Sequence, residues 1–135
     1  MSGLARDRRA ATALEFAIIA SVMVPLCLAA LDGGLLLWTK GALQAAAAAT
    51  ARCVAIGSDS CPNSAQYAAT VAGNWSFAGV ISAADVAAPT MVCAGATQLV
   101  RITITSTHWT AAMLPVLSGS STVTATAYFP TVAGC

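Results

Sequence analysis

From Ala10 to Leu31 every side chain is uncharged except Glu15. About 20 apolar residues at ~1.5 Å each cross a hydrocarbon core of roughly 30 Å, so this stretch predicts one membrane-spanning helix. Pro25 lies within it and removes one helical hydrogen bond, which predicts a kink that a membrane helix tolerates. Beyond Asp32, Gly33 and Gly34 the helical pattern continues. Leu35 to Ile56 is rich in helix formers, with an unbroken alanine run from Ala45 to Ala49, and Gly57 supplies a stop with Arg52 in the last turns. A continuous helix from Ala11 to Ile56 would be about 70 Å long, its first half in lipid and its small-residue half against a folded head.

After the helix the periodicity shortens. Ala65 to Ala72 is a short helix ended by Gly73 and Asn74. Val100, Ile102 and Ile104 alternate with Arg101, Thr103 and Thr105, and Val123, Ala125, Ala127 and Phe129 alternate with Thr122, Thr124, Thr126 and Tyr128. A period of two marks half-buried antiparallel strands. Thr90 to Cys93, joined through Ala94 to Thr97, reads as a hairpin partner. The predicted fold is α+β, a long N-terminal helix extending into a head with an antiparallel sheet of three or more strands. Trp109 to Leu117 forms a polar-poor connection, expected to pack over the core or to face a neighbour or lipid.

Composition agrees with a chain partly in lipid. The 135 residues are 58% hydrophobic and 8% charged, against about 25% charged for an average soluble domain. The net charge is +1 and the basic residues cluster only at the N-terminus, which argues against nucleic acid as a partner. Arg6, Arg8 and Arg9 precede the apolar run, whereas Asp32 and a single Lys40 follow it. The positive-inside rule then puts the N-terminus in the cytoplasm and the head outside. The division expected is a basic leader over 1–10, the helix over 11–57 and the head over 58–135. An extracytoplasmic head suits disulfides, and Cys53, Cys61, Cys93 and Cys135 all follow the span. Proximity favours Cys53 with Cys61 across the Gly57 to Ser60 turn, leaving Cys93 and Cys135 to each other, although four cysteines allow three pairings. Cys27, inside the apolar run, reads as a small buried hydrophobe.

A cleaved secretory signal competes with the anchor, because Leu28, Ala29 and Ala30 put small residues near a possible cleavage point. The run is longer than a signal's usual 7 to 15 apolar residues and resumes as Leu35, Leu36, Leu37 and Trp38. A lipidated Cys27 is disfavoured because Val24, Pro25 and Leu26 precede it.

Glu15 is the informative residue. A carboxylate in a membrane span costs a few kcal/mol and calls for a partner or a role. The bland explanation is that it lies near the interface and the helix N-terminus, with Arg9 about six residues away. Its setting, Arg8 and Arg9, then Ala10, then Ala11, Thr12, Ala13, Leu14, Glu15 and Phe16, resembles a type IV prepilin cleavage region. That resemblance implies cleavage after Ala10, with Ala11 as the mature N-terminus and Glu15 as the fifth mature residue. Glu15 would then pair with the α-amino group of an adjacent subunit. Ala10 stands where that family usually has glycine. The run Thr12 to Ile19, then Pro25, then Leu31 Asp32 Gly33 Gly34, and the small-residue helix through Ala51 and Arg52 resemble the TadE-like family of the tight-adherence (Tad) pilus machinery. This covers roughly residues 10 to 52 and implies a pilin-like fold, partners among the lipid bilayer and other pilin-like subunits, and work by helix packing.

Chemistry is sparse elsewhere. Asp32, Asp59, Asp85 and His108 are the acid and base groups beyond the span; no nucleophile elbow or glycine-rich phosphate loop accompanies them. The cysteines lack C-x-x-C spacing and His108 is the one histidine, which disfavours zinc. No catalysis, cofactor or small-molecule substrate is expected. Two alternatives stay open: an uncleaved accessory protein of the same machinery, and a signal-cleaved soluble binding domain.

Overall fold

In the computed structural model one helix, α1, runs without interruption over Gly3–Ala55. The structure describes the backbone of residues 3–59, 61, 63–75, 81–109 and 120–135, and the side chains of 10–59, 61, 63–74, 81–107 and 122–135. At 53 residues α1 is about 80 Å long. It begins before Ala11, so the helical backbone passes through the stretch expected to form the leader. Its other end is a Schellman motif. The Ser58 N–H donates to the Cys53 carbonyl at 3.3 Å and the Gly57 N–H to the Val54 carbonyl at 3.2 Å, with Gly57 at φ +62°. A Cβ at Gly57 would meet nothing within 4 Å, so its replacement is penalised through the backbone alone. Gly57→Ala is expected to lower the head's stability by about 1–2 kcal/mol in a denaturant titration. An unchanged midpoint would refute the left-handed cap.

Among the described residues, cover is confined to the last third of α1. Leu43, Ala46, Ala47, Thr50 and Ala51 are fully buried, and they occupy one face at helical spacing. The Thr50 hydroxyl is satisfied within the helix, donating to the Ala46 carbonyl at 2.7 Å, as Thr39 does to Leu35 at 2.9 Å. A short helix, α2 (Ser64–Trp75), packs Ala68 and Ala72 against α1. Asn63 caps it by accepting the Gln66 N–H at 3.2 Å.

The described strands are β1 (Thr90–Ala94), β2 (Thr97–Trp109) and β3 (Ser120–Gly134). They form an antiparallel sheet in the order β1-β2-β3. β1 and β2 are joined by Gly95 and Ala96, with φ +65° at Gly95 and no positive φ at Ala96. That is the backbone of a type II′ hairpin, which needs glycine at its first central position. In the long hairpin Ile102 lies opposite Ala127 and Ile104 opposite Ala125. Val100, Ile102, Ile104, Val123, Ala125 and Ala127 form the buried face, against α1. Arg101, Thr105, Thr107, Thr122, Thr124 and Tyr128 are exposed on the other. A short 3-10 turn over Ala83–Asp85 precedes β1, its Asp85 carboxylate accepting the Ser82 N–H at 2.9 Å and hydroxyl at 3.1 Å. The fold is thus α+β, a long apolar helix followed by a small antiparallel sheet. The connection Trp109 to Leu117 lies outside the described residues from residue 110 onward.

Candidate functional surface of the long helix

Outside the head nothing among the described residues packs over α1. Leu14, Phe16, Ile18, Ile19, Val22, Met23, Val24, Leu26 and Leu31 are all more than half exposed. An apolar surface of this size is not stable in water and marks contact with lipid or with other apolar helices. Ala10–Ala55 is long and apolar enough to cross a membrane. Large side chains predominate through Trp38, and small ones take over past Lys40, where the head covers the helix.

Glu15 stands exposed in this apolar surface, flanked by Leu14 and Phe16, and among the described residues it forms no ion pair. Whatever balances its charge in a bilayer lies outside the described part of this chain or in a neighbour. Ala10 and Ala11 are exposed and helical, so the peptide bond between them sits inside α1. Pro25 is half-buried and within the helix. Lacking an N–H, it leaves the Ser21 carbonyl without its usual helical donor. Cys27 is a free thiol that the head does not cover, on the stretch of α1 apolar enough to cross a membrane. The reason is geometric: the head reaches no further along α1 than about Leu36, so nothing within the described chain can cover residue 27.

At the junction, Gly34, Leu37, Trp38, Gly41, Ala42 and Ala45 line an apolar recess on the helix. Two disulfides then fix the head. Cys53 is bonded to Cys61 with Cα atoms 6.2 Å apart, tying the end of α1 to the approach to α2. Cys93 is bonded to Cys135 at 6.0 Å, tying the chain's last residue to β1.

Among the described residues the groups considered for catalysis do not assemble. Asp85 is engaged by Ser82, Asp59 is exposed beyond the end of α1, and the His108 side chain lies outside the described residues. No cluster of three or more metal-binding side chains occurs among the described residues. Sequence reading passed over Gln44, whose Nε2 donates to the Thr126 carbonyl at 3.0 Å and ties α1 to β3. Its signal was available: Gln44 is the one polar side chain between Lys40 and Thr50.

These features define a class of protein, one apolar helix long enough to cross a bilayer, continuous with a small disulfide-bonded α+β head. Residues 10–52 match the family model described as TadE-like protein, about a third of the chain. The matched segment takes in Glu15, Pro25, the glycine pair and the buried alanines of α1. That likeness suggests a role in the Tad pilus machinery. No curated protein and no solved structure matches the chain.

Proposed function

We propose that the protein is a minor pilin or pseudopilin-like subunit of a Tad-type pilus or secretion apparatus, working by helix association rather than catalysis. In this reading residues 1–10 are a cytoplasmic leader, 11–57 an inner-membrane helix with its extension, and 58–135 a periplasmic head. Cleavage after Ala10 frees the α-amino group of Ala11, and Glu15 pairs with that group on a neighbour. The observation that carries the reading is Glu15 itself: a carboxylate exposed on an apolar helix, within the TadE-like match, with no partner among the described residues. In lipid an unpaired carboxylate is costly, and an ammonium group from an adjacent subunit offsets that cost while setting the offset between helices.

Glu15→Ala is expected to reduce co-purification with pilus components at least about tenfold, equivalent to ~1.4 kcal/mol of association. Undiminished recovery would refute the pairing. A second reading, an uncleaved inner-membrane accessory protein, is favoured by the helix continuing unbroken through Ala10 to Gly3. Intact mass of the protein from its native membrane decides between them. A start at Ala11 supports the subunit, and a start at Met1 or Ser2 supports the static anchor. Loss of about 30 residues, the length of a signal segment, would refute both.

A further inference from the structure

The two disulfides differ in their surroundings. Cys53 is 8% exposed, on the face of α1 that the head covers, and Cys61 is half-buried. Cys93 and Cys135 are both exposed. Thiol–disulfide exchange needs a thiolate to reach one sulfur along the line of the bond, so access decides which disulfide opens first. No charged side chain occurs from Thr90 to Val100 or from Ser120 to Gly134, so the sequence around the exposed pair holds no carboxylate to repel an incoming thiolate.

The consequences of opening differ as well. Cys53 and Cys61 flank a turn that holds itself: the Ser58 N–H donates to the Cys53 carbonyl at 3.3 Å and the Cys61 N–H to the Ser58 carbonyl at 3.0 Å. A reduced pair there stays close, and its high effective concentration returns a mixed disulfide to the closed bond. The end of β3 is held less firmly. Its register with β2 shifts between Thr97 and Leu99, and Val132, Ala133 and Gly134 are exposed. Its noncovalent ties include the Thr131 hydroxyl, 3.2 Å from the Gln98 carbonyl, and the Cys135 N–H, which donates to the Ala96 carbonyl at 3.2 Å. Sparse burial and exposed backbone hydrogen bonds mark a segment that opens locally.

We propose that Cys93–Cys135 is a thiol–disulfide exchange site for a dithiol, and that its reduction unfastens the end of β3 while Cys53–Cys61 stays closed. One thiolate of the dithiol attacks a sulfur of the pair and forms a mixed disulfide as the Cys93–Cys135 bond breaks. The displaced cysteine leaves as a thiolate and takes up a proton. The dithiol's second thiolate then attacks its own first sulfur, closing the dithiol's disulfide and releasing the other cysteine. The dithiol is oxidised and the pair is reduced to thiols, in a two-electron exchange. With the strand end free the two cysteines separate, so they do not re-close as a held pair does. The same steps in reverse, with the partner's disulfide as oxidant, fasten the strand again. Nothing in this exchange depends on the pilus assignment.

The test uses the full chain in detergent micelles, with Cys27 first blocked by N-ethylmaleimide and dithiothreitol as the probe. Short pulses of dithiothreitol are quenched with iodoacetamide, and labelling at each cysteine is read by peptide mass. Cys93 and Cys135 are expected to label together, at least about tenfold faster than Cys53 and Cys61. Amide hydrogen exchange then reads the strand end. In the chain opened at this bond and left unalkylated, the Cys135 amide is expected to exchange at least about tenfold faster than in the closed chain, and oxidised dithiothreitol to restore its protection. The Leu43 and Ala46 amides of α1 stay protected throughout. Labelling of all four cysteines at one rate, or of Cys53 and Cys61 first, would overturn the exchange site. Unchanged exchange at Cys135 after opening would overturn the unfastening.

Discussion

Ile102→Asp is expected to melt the head while leaving α1 helical. Ile102 is fully buried at the centre of β2, opposite Ala127 and against the alanine face of α1. The side chains packed there are alanine, valine, leucine and isoleucine, so a carboxylate at this position would have no counter-charge and no donor. An uncompensated buried charge costs about 3–5 kcal/mol. A head of this size has little more stability than that from its core. The long helix depends on the head only over its last third and should persist in micelles. Far-UV circular dichroism should keep its helical signal while protease cuts the head between β1 and β3. A head that resists protease as the parent does would show that Ile102 is not central to the core.

Removing the Cys93–Cys135 bond by a double serine substitution is expected to cost more than removing Cys53–Cys61. The bonds close loops with sequence separations of 42 and 8 residues. Chain entropy alone assigns about 4 kcal/mol to the longer loop and about 2.5 kcal/mol to the shorter. The positions point the same way. Cys53–Cys61 reinforces a helix end already held by the Schellman bonds, whereas Cys93–Cys135 joins the last residue to β1 across the end of β2. Denaturant midpoints of the two variants, read from head fluorescence in micelles, give the order. A larger loss for the shorter loop would mean that local strain or residual structure, rather than loop closure, governs the stabilisation.

Much of the architecture is legible in the residue pattern, for reasons that differ by element. α1 is legible because its apolar and alanine-rich stretches both favour helix, and only Gly57, which takes the left-handed conformation, ends it. β2 and β3 are legible where they alternate, at Val100 to Thr105 and Thr122 to Phe129. Their full extents, Thr97–Trp109 and Ser120–Gly134, are not. Those extensions are held by pairing across the hairpin, as Thr107 with Thr122 and Trp109 with Ser120, and pairing over such distances leaves no local signal. The 3-10 turn at Ala83–Asp85 was missed for a similar reason. It consists of Ser82 bonding Asp85 beside a bridge between Val86 and Ile104, and the bridge is a tertiary contact.

The sequence alone determined that a carboxylate, Glu15, lies in an otherwise apolar helix. It also determined that this helix continues into a small-residue half and that two alternating strands follow. These are consequences of composition and period, which a chain carries before it folds. The tertiary structure decided which face of α1 the head covers, because an alanine run is equally small on every side and has no preferred face until Leu43 and Thr50 are packed. It also decided which edge of β3 faces away from β2. Strand alternation separates the two faces of a sheet, but the direction of each backbone N–H depends on which neighbour pairs with which, and only the bond from Ala87 to Thr103 and the contact from Gln44 to Thr126 fix that.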